Sequence, residues 1–150
     1  MSLVSRVIQK FTDQYGVSPA AVSRAPGRVN LIGEHTDYNE GFVMPMAIER
    51  AAYVALRPRT DSLVKIRSLD FNEAGEFDLS DLPETAEPIK REGWLEYVRG
   101  VAWALRSAGY PLRGWEGVCA GDVPIGAGLS SSAALELAGA RGFPLLASVS

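Results

Sequence analysis

From Ala25 to Tyr38 the chain reads Ala-Pro-Gly-Arg-Val-Asn-Leu-Ile-Gly-Glu-His-Thr-Asp-Tyr. Arg28, Glu34, His35 and Asp37 crowd into this stretch, on either side of the apolar Val-Asn-Leu-Ile segment, and His35 is the sole histidine. Carboxylates accept charge-assisted hydrogen bonds from neighbouring hydroxyls. An arginine that never loses its proton is a natural partner for a phosphate in transfer. Together these groups suit a site that holds a polyol and moves a phosphoryl group onto it. Plainer roles compete with that one. His35 could be satisfied within a turn, Glu34 and Asp37 could lie on a solvated loop, and Arg28 could form a structural ion pair. A metal site built from Glu34, His35 and Asp37 ranks lower, because adjacent residues do not easily converge on one ion.

A second stretch, Gly121-Asp-Val-Pro-Ile-Gly-Ala-Gly-Leu-Ser-Ser-Ser132, leads into the strong helix former Ala133-Ala-Leu-Glu-Leu-Ala138. Strand, glycine-rich loop and helix start, in that order, aim backbone N–H groups and the positive helix end at one point, where an anion is stabilised. Gly126 and Gly128 allow positive φ and close approach, and Ser130, Ser131 and Ser132 add hydroxyls for phosphate or Mg²⁺. No lysine follows the glycines, so this is not the P-loop pattern, and Ser131 occupies the third glycine position of the dinucleotide-binding pattern. The alternative is a plain turn with a serine cap.

These motifs need elements to carry them. Val4, Val7, Ile8, Phe11 and Tyr15 predict an amphipathic helix over 3–15, with Ser2 as cap and Gly16 as stop. Short strands are expected at 21–25 and 29–32 around a Pro26-Gly27 turn. Further strands are expected at 42–48 and 51–57, with Pro45 at an edge or bulge, at 62–68 and at 76–79. Val64 and Ile66 should share one face of their strand, opposite Lys65 and Arg67. The acidic, proline-containing segment 80–92 reads as a surface loop. Trp94, Tyr97, Val98, Val101, Ala102 and Leu105 fall on one helical face, closed by Gly109 and Pro111, and 115–120 reads as a strand. The last helix should be broken by Gly139, Gly142 and Pro144.

Composition fits one ordinary globular domain: 150 residues, 47% hydrophobic and 22% charged. A net charge of −3 gives no electrostatic reason to expect nucleic acid or an anionic membrane as partner. The single cysteine, Cys119, excludes an intramolecular disulfide and reads as a small buried apolar residue. Arg6 and Lys10 interrupt any signal-peptide run, and no stretch approaches the roughly 20 apolar residues of a membrane span. A cytoplasmic location is expected.

Residues 27–38 match the galactokinase signature without a departure, and Pro124–Ala134 match the phosphate-binding motif of the GHMP kinases. Over residues 3 to about 138 the chain therefore resembles the amino-terminal part of that family. The resemblance implies an α+β domain over 1–150 of the GHMP-kinase N-terminal type, with the ribosomal protein S5 domain 2-like fold. The signature would lie at 25–38 and the phosphate loop at 122–134. It implies transfer of the ATP γ-phosphate to the anomeric hydroxyl of α-D-galactose, with Mg²⁺. By position, Glu34, His35 and Asp37 resemble the sugar-binding residues and Arg28 the arginine near the catalytic aspartate and γ-phosphate. Gly126, Ala127, Gly128, Leu129, Ser130, Ser131 and Ser132 resemble the ATP loop, with Ser131 or Ser132 near the metal. Trp94 resembles the tryptophan near adenine, or else anchors its helix in the core, and Ser68 also approaches adenine.

The family's catalytic aspartate, its Mg²⁺-binding glutamate and a third glycine-rich motif would all fall beyond position 150. The chain thus reads as a truncated one, or as one whose last dozen residues differ from its relatives, and it is not expected to turn over alone. Surface exposed by truncation should favour self-association. Related activities are a kinase for N-acetylgalactosamine, galacturonate or arabinose, or a non-catalytic galactose sensor. The intact Ser130-Ser-Ser-Ala-Ala134 run argues against the sensor. A folding unit without activity is the remaining reading.

Overall fold

The computed structural model describes residues 1–33, 35–85 and 93–147. Helix α1 runs Leu3–Tyr15. The Ser2 side chain accepts the Ser5 N–H at 3.3 Å, and Gly16, at φ 71°, donates its N–H to the Thr12 carbonyl at 2.8 Å. Both helix ends are thus satisfied where the sequence placed them.

Strands β1 (Ala21–Asn30), β2 (Pro45–Pro58), β3 (Leu63–Ser68), β4 (Glu73–Asp78) and β5 (Trp115–Gly121) form one sheet in the order β1-β2-β5-β3-β4. All neighbours are antiparallel except β3 and β5. The chain between those two holds β4 and helix α2 (Leu95–Ser107). The expected burial alternation appears in β3, where Val64 and Ile66 are buried and Lys65 pairs across to Glu76 at 3.2 Å.

Two expected strand breaks are absent. Pro26-Gly27 does not separate two strands. β1 continues through it with a register shift between Pro26 and Arg28, so that Gly27 stands opposite Ile48–Arg50. A bulge absorbs the irregularity that the Pro-Gly pair introduces. Likewise β2 is one strand, with Pro45 as its first residue, where a missing N–H is tolerated.

Alternation along β2 divides the core into two layers. Ala55 joins Val118 and Ala120 under Val7 and Phe11 of α1. Val54 and Leu56 face the other way, onto a cluster with Val98 and Ala102 of α2 and Ala134 and Ala138 of α3 (Ser131–Ala147). One charged side chain is buried in the sheet: Glu116, 5% exposed, is ion-paired with Arg57 and with Arg59, the latter at 2.9 Å. It lies at the start of β5, the strand whose far end opens the glycine-rich loop.

Helix α3 also overrides its expected break. Gly142 does not end it. A Cβ there would come within 2.9 Å of Leu56 Cδ2, so the glycine lets the helix lie close on β2. Phe143 then packs edge-on against Trp115, with ring centroids 5.6 Å apart. Pro144 lies inside the helix, where it removes one backbone hydrogen bond. Tertiary packing outweighs that loss. The segment that reads as a surface loop from 80 opens with a short 3-10 turn, Leu79–Asp81, whose Leu79 is buried with Leu82. Arg106 donates to the Leu79 carbonyl at 3.0 Å and to the Pro83 carbonyl at 2.9 Å. Residues 86–92 of that segment lie outside the described residues.

Candidate active site

The glycine-rich loop leaves β5 and ends at the N-terminus of α3. Gly126 and Gly128 take φ values of 75° and 71°, the left-handed region that glycine occupies without strain. Ser130 takes φ 62°, an uncommon value for a serine. It is held there from two sides. Its carbonyl accepts the Ala134 N–H at 3.0 Å, and its Oγ accepts Arg28 Nη2 at 2.8 Å and Arg28 Nε at 3.1 Å. The Arg28 backbone N–H donates to the Leu129 carbonyl at 3.0 Å. Arg28 of the first motif is therefore joined to both Leu129 and Ser130 of the second, the latter 102 residues away in sequence.

The junction needs Gly27. A Cβ on Gly27 would lie 2.8 Å from the Leu129 carbonyl oxygen, 3.0 Å from Val123 Cγ1 and 3.1 Å from Ile48 Cδ1. The bulge in β1 brings its backbone against the loop, and a side chain would hold the two apart.

Beyond β1 the signature folds into a tight turn. Gly33 takes φ 93°, and a Cβ there would sit 2.4 Å from the Phe42 carbonyl oxygen. Thr36 Oγ1 donates to the carbonyls of Gly33 (3.0 Å) and Phe42 (2.9 Å), and Asn39 Nδ2 donates to the His35 carbonyl at 2.9 Å. His35 is exposed, and its Nδ1 lies 2.9 Å from the Tyr38 hydroxyl. That bond fixes the ring while leaving Nε2 for a partner. Asp37 begins the short 3-10 turn Asp37–Asn39. Glu34 and the Asp37 side chain lie outside the described residues. Among the described residues, no group of three or more His, Cys, Asp or Glu is placed to hold a metal ion.

A cavity of about 630 Å³ opens beside the start of α3. Ser68, Trp94, Ser131 and Ser132 line it, so four of the predicted nucleotide contacts share one space. Gly126 to Ser130, Arg28 and His35 are not among its lining residues. Trp94 is 8% exposed and immediately precedes α2; its Nε1 donates to Glu73 at 3.1 Å and its ring lies nearly parallel to Phe71, with centroids 6.4 Å apart. It both anchors the helix start and forms the cavity wall. Ser68 is 2% exposed, and its Oγ accepts the Phe71 N–H at 3.4 Å. Asp70, Phe71 and Tyr97 complete this wall, and no sequence motif points to them. Asp70 and Phe71 fall between two expected strands, in a segment without a binding motif, and Tyr97 shares the helical face of Trp94 and Val98.

Cys119 also lines the cavity, yet burial pushes its thiol up to about 12. The thiolate is the reactive form. We therefore expect a disulfide-exchange reagent at pH 8 to label Cys119 only after the chain unfolds. Rapid labelling of the folded protein would contradict this burial.

Comparison with known proteins places the geometry. Residues 9–58 match the galactokinase galactose-binding signature, and residues 96–147 match the GHMP kinases N terminal domain. The chain is 49% identical to the galactokinase of Chloroflexus aurantiacus over 143 residues, covering 95% of this chain and 36% of that protein. It is 50% identical to the galactokinase of a Roseiflexus species, covering 92% of this chain and 34% of that protein. The crystal structure of Lactococcus lactis galactokinase complexed with galactose superposes with a TM-score of 0.76 at 39% identity, over 91% of this chain and 35% of that one. Methanococcus jannaschii mevalonate kinase shares the fold at 20% identity, with a TM-score of 0.67 over 81% of this chain and 38% of that one. The mixed five-stranded sheet with its glycine-rich loop is the N-terminal domain fold of the GHMP kinases. Within them, this chain belongs to the galactokinase family. It spans about a third of the length of the curated relatives it matches.

Proposed function

We propose that this chain forms the sugar- and nucleotide-binding part of a cytoplasmic galactokinase, which transfers the γ-phosphate of ATP to the anomeric hydroxyl of galactose. The observation that carries the proposal is the Arg28–Ser130 contact. It sets the guanidinium of the sugar signature against the loop that would cradle the triphosphate. In this reading Glu34, His35 and Asp37 orient the sugar, while Gly126 to Ser132 and the N–H groups opening α3 hold the phosphates. Ser68 and Trp94 would border the base.

The donors fit Mg²⁺ delivered with the nucleotide. Ser131 and Ser132 offer hydroxyl oxygens at the cavity, and this ion takes oxygen ligands and shares them with substrate phosphates. Ser132 would hold it, and the ion would supply charge neutralisation at the phosphates. Arg28 would act where charge develops during transfer, so its effect belongs in the transition state rather than in sugar binding. In an enzyme of the relatives' full length, Arg28→Ala is expected to lower kcat about 100-fold or more, with little change in KM for galactose. An unchanged kcat would contradict the role.

The signature end exposes Leu31, Ile32, Phe42 and Met44, all more than half exposed. A contiguous apolar patch drives association. Light scattering of this chain is expected to give a mass that rises with concentration above 16.1 kDa. A constant monomer mass would contradict it.

A further inference from the structure

Asp70 lies in the turn between β3 and β4, outside both motifs, and it faces the cavity. Its Oδ2 accepts the N–H of Gly121 at 2.7 Å. Gly121 is the last residue of β5 and the root of the glycine-rich loop. The next residue is also held by a carboxylate: Asp122 Oδ1 accepts the Ala51 N–H at 2.7 Å, and Arg50 Nη1 lies 3.9 Å from Asp122 Oδ2. The Asp122 bond ties the loop to β2. The Asp70 bond ties it to the turn that carries Phe71, and so to the wall where Phe71 stacks on Trp94.

From this geometry we infer that Asp70 is a positioning residue, holding the root of the phosphate loop in register with the base-side wall of the cavity. The inference rests on the nucleotide reading given above. Asp70 does not touch the phosphates in this role. It acts through the Gly121 amide. Burial raises its carboxyl above the ordinary range, Asp122 adds to the rise, and the Gly121 N–H and the Arg6 charge oppose it. Asp70 remains exposed, and a carboxylate beside a polyphosphate site is an electrostatic cost. That cost is tolerated here for the bond it makes.

The acceptor and the charge separate on substitution. Asp70→Asn keeps an oxygen for the Gly121 N–H and loses the charge. Asp70→Ala loses both. The experiment measures amide hydrogen exchange of the ligand-free protein, with β2 and α1 amides as a folding control, and then affinity for Mg²⁺ and a non-hydrolysable ATP analogue. Asp70→Ala is expected to speed exchange across 121–128 and to weaken the analogue about tenfold, the size of one charge-assisted bond. Asp70→Asn is expected to exchange like the parent and to bind the analogue at least as tightly. An alanine variant that exchanges and binds like the parent overturns the inference, and so does an asparagine variant that behaves like alanine. Faster exchange at 121–128 without weaker binding overturns the link to the base-side wall. If the parent itself fails to bind the analogue, the nucleotide reading falls, while the exchange result still decides whether Asp70 holds the loop.

Discussion

Gly27→Ala is expected to abolish measurable nucleotide binding while leaving most of the sheet folded. The new methyl would lie 2.8 Å from the Leu129 carbonyl oxygen, and that oxygen already accepts the Arg28 N–H at 3.0 Å. Val123 and Ile48 can yield, because the atoms approached belong to side chains. Leu129 can yield only by moving the loop backbone, which breaks the Arg28 bond and carries Ser130 away from the guanidinium. Overpacking of this kind costs about 1–3 kcal/mol, a loss that a domain of this size survives. The loop geometry does not survive it, because Ser130 is held at its positive φ from both sides. Titration calorimetry with Mg²⁺ and a non-hydrolysable ATP analogue, beside a thermal melt, checks the prediction. Parent-like affinity would show that the close approach of β1 and the loop is dispensable.

Gly33→Ala is the second large effect, and it should fall on the sugar instead. Two penalties coincide there. A φ of 93° disfavours any side chain, and the added Cβ would sit 2.4 Å from the Phe42 carbonyl oxygen and 2.9 Å from Val43 Cα. Both obstacles are backbone atoms, so the turn must rearrange. A left-handed conformation alone costs an L-residue about 1–2 kcal/mol, and the clash adds to it. The Thr36 bonds to Gly33 and Phe42 would be lost together, and with them the placement of His35. Galactose affinity is expected to fall by about 100-fold or more, with little change in affinity for the ATP analogue, since the turn shares no lining residue with the cavity. Equal losses of both ligands would mean that the variant had unfolded, which a melt would reveal. Unchanged galactose affinity would remove this turn from the sugar site.

The two glycines mark what could be read in the sequence and what could not. Their places in the motifs were legible. Their reasons were not: Gly27 serves a contact with Leu129, and Gly33 a backbone conformation. Local signals worked where local physics decides. Ser2 and Gly16 bounded α1, and the Val64/Lys65 alternation gave β3 its faces. They failed where long-range packing overrides. Pro26-Gly27 carries a turn signal, yet pairing with β2 draws it into a strand. Gly142 and Pro144 carry a break signal, yet Leu56 and Trp115 reward a helix that continues. Of the residues that resemble nucleotide contacts, Ser68, Trp94, Ser131 and Ser132 line one cavity and Gly126 to Ser130 do not, and its Phe71 and Asp70 wall belongs to a turn with no distinctive pattern.

The most direct test of the central claim is an amide NMR titration of the isotopically labelled chain, first with Mg²⁺ and a non-hydrolysable ATP analogue, then with galactose. A sugar- and nucleotide-binding unit predicts shifts at 126–132 and around Ser68 and Trp94 on the first addition. It predicts separate, saturable shifts at 33–38 on the second, with glucose giving weaker ones. Saturable shifts at neither segment would contradict the account.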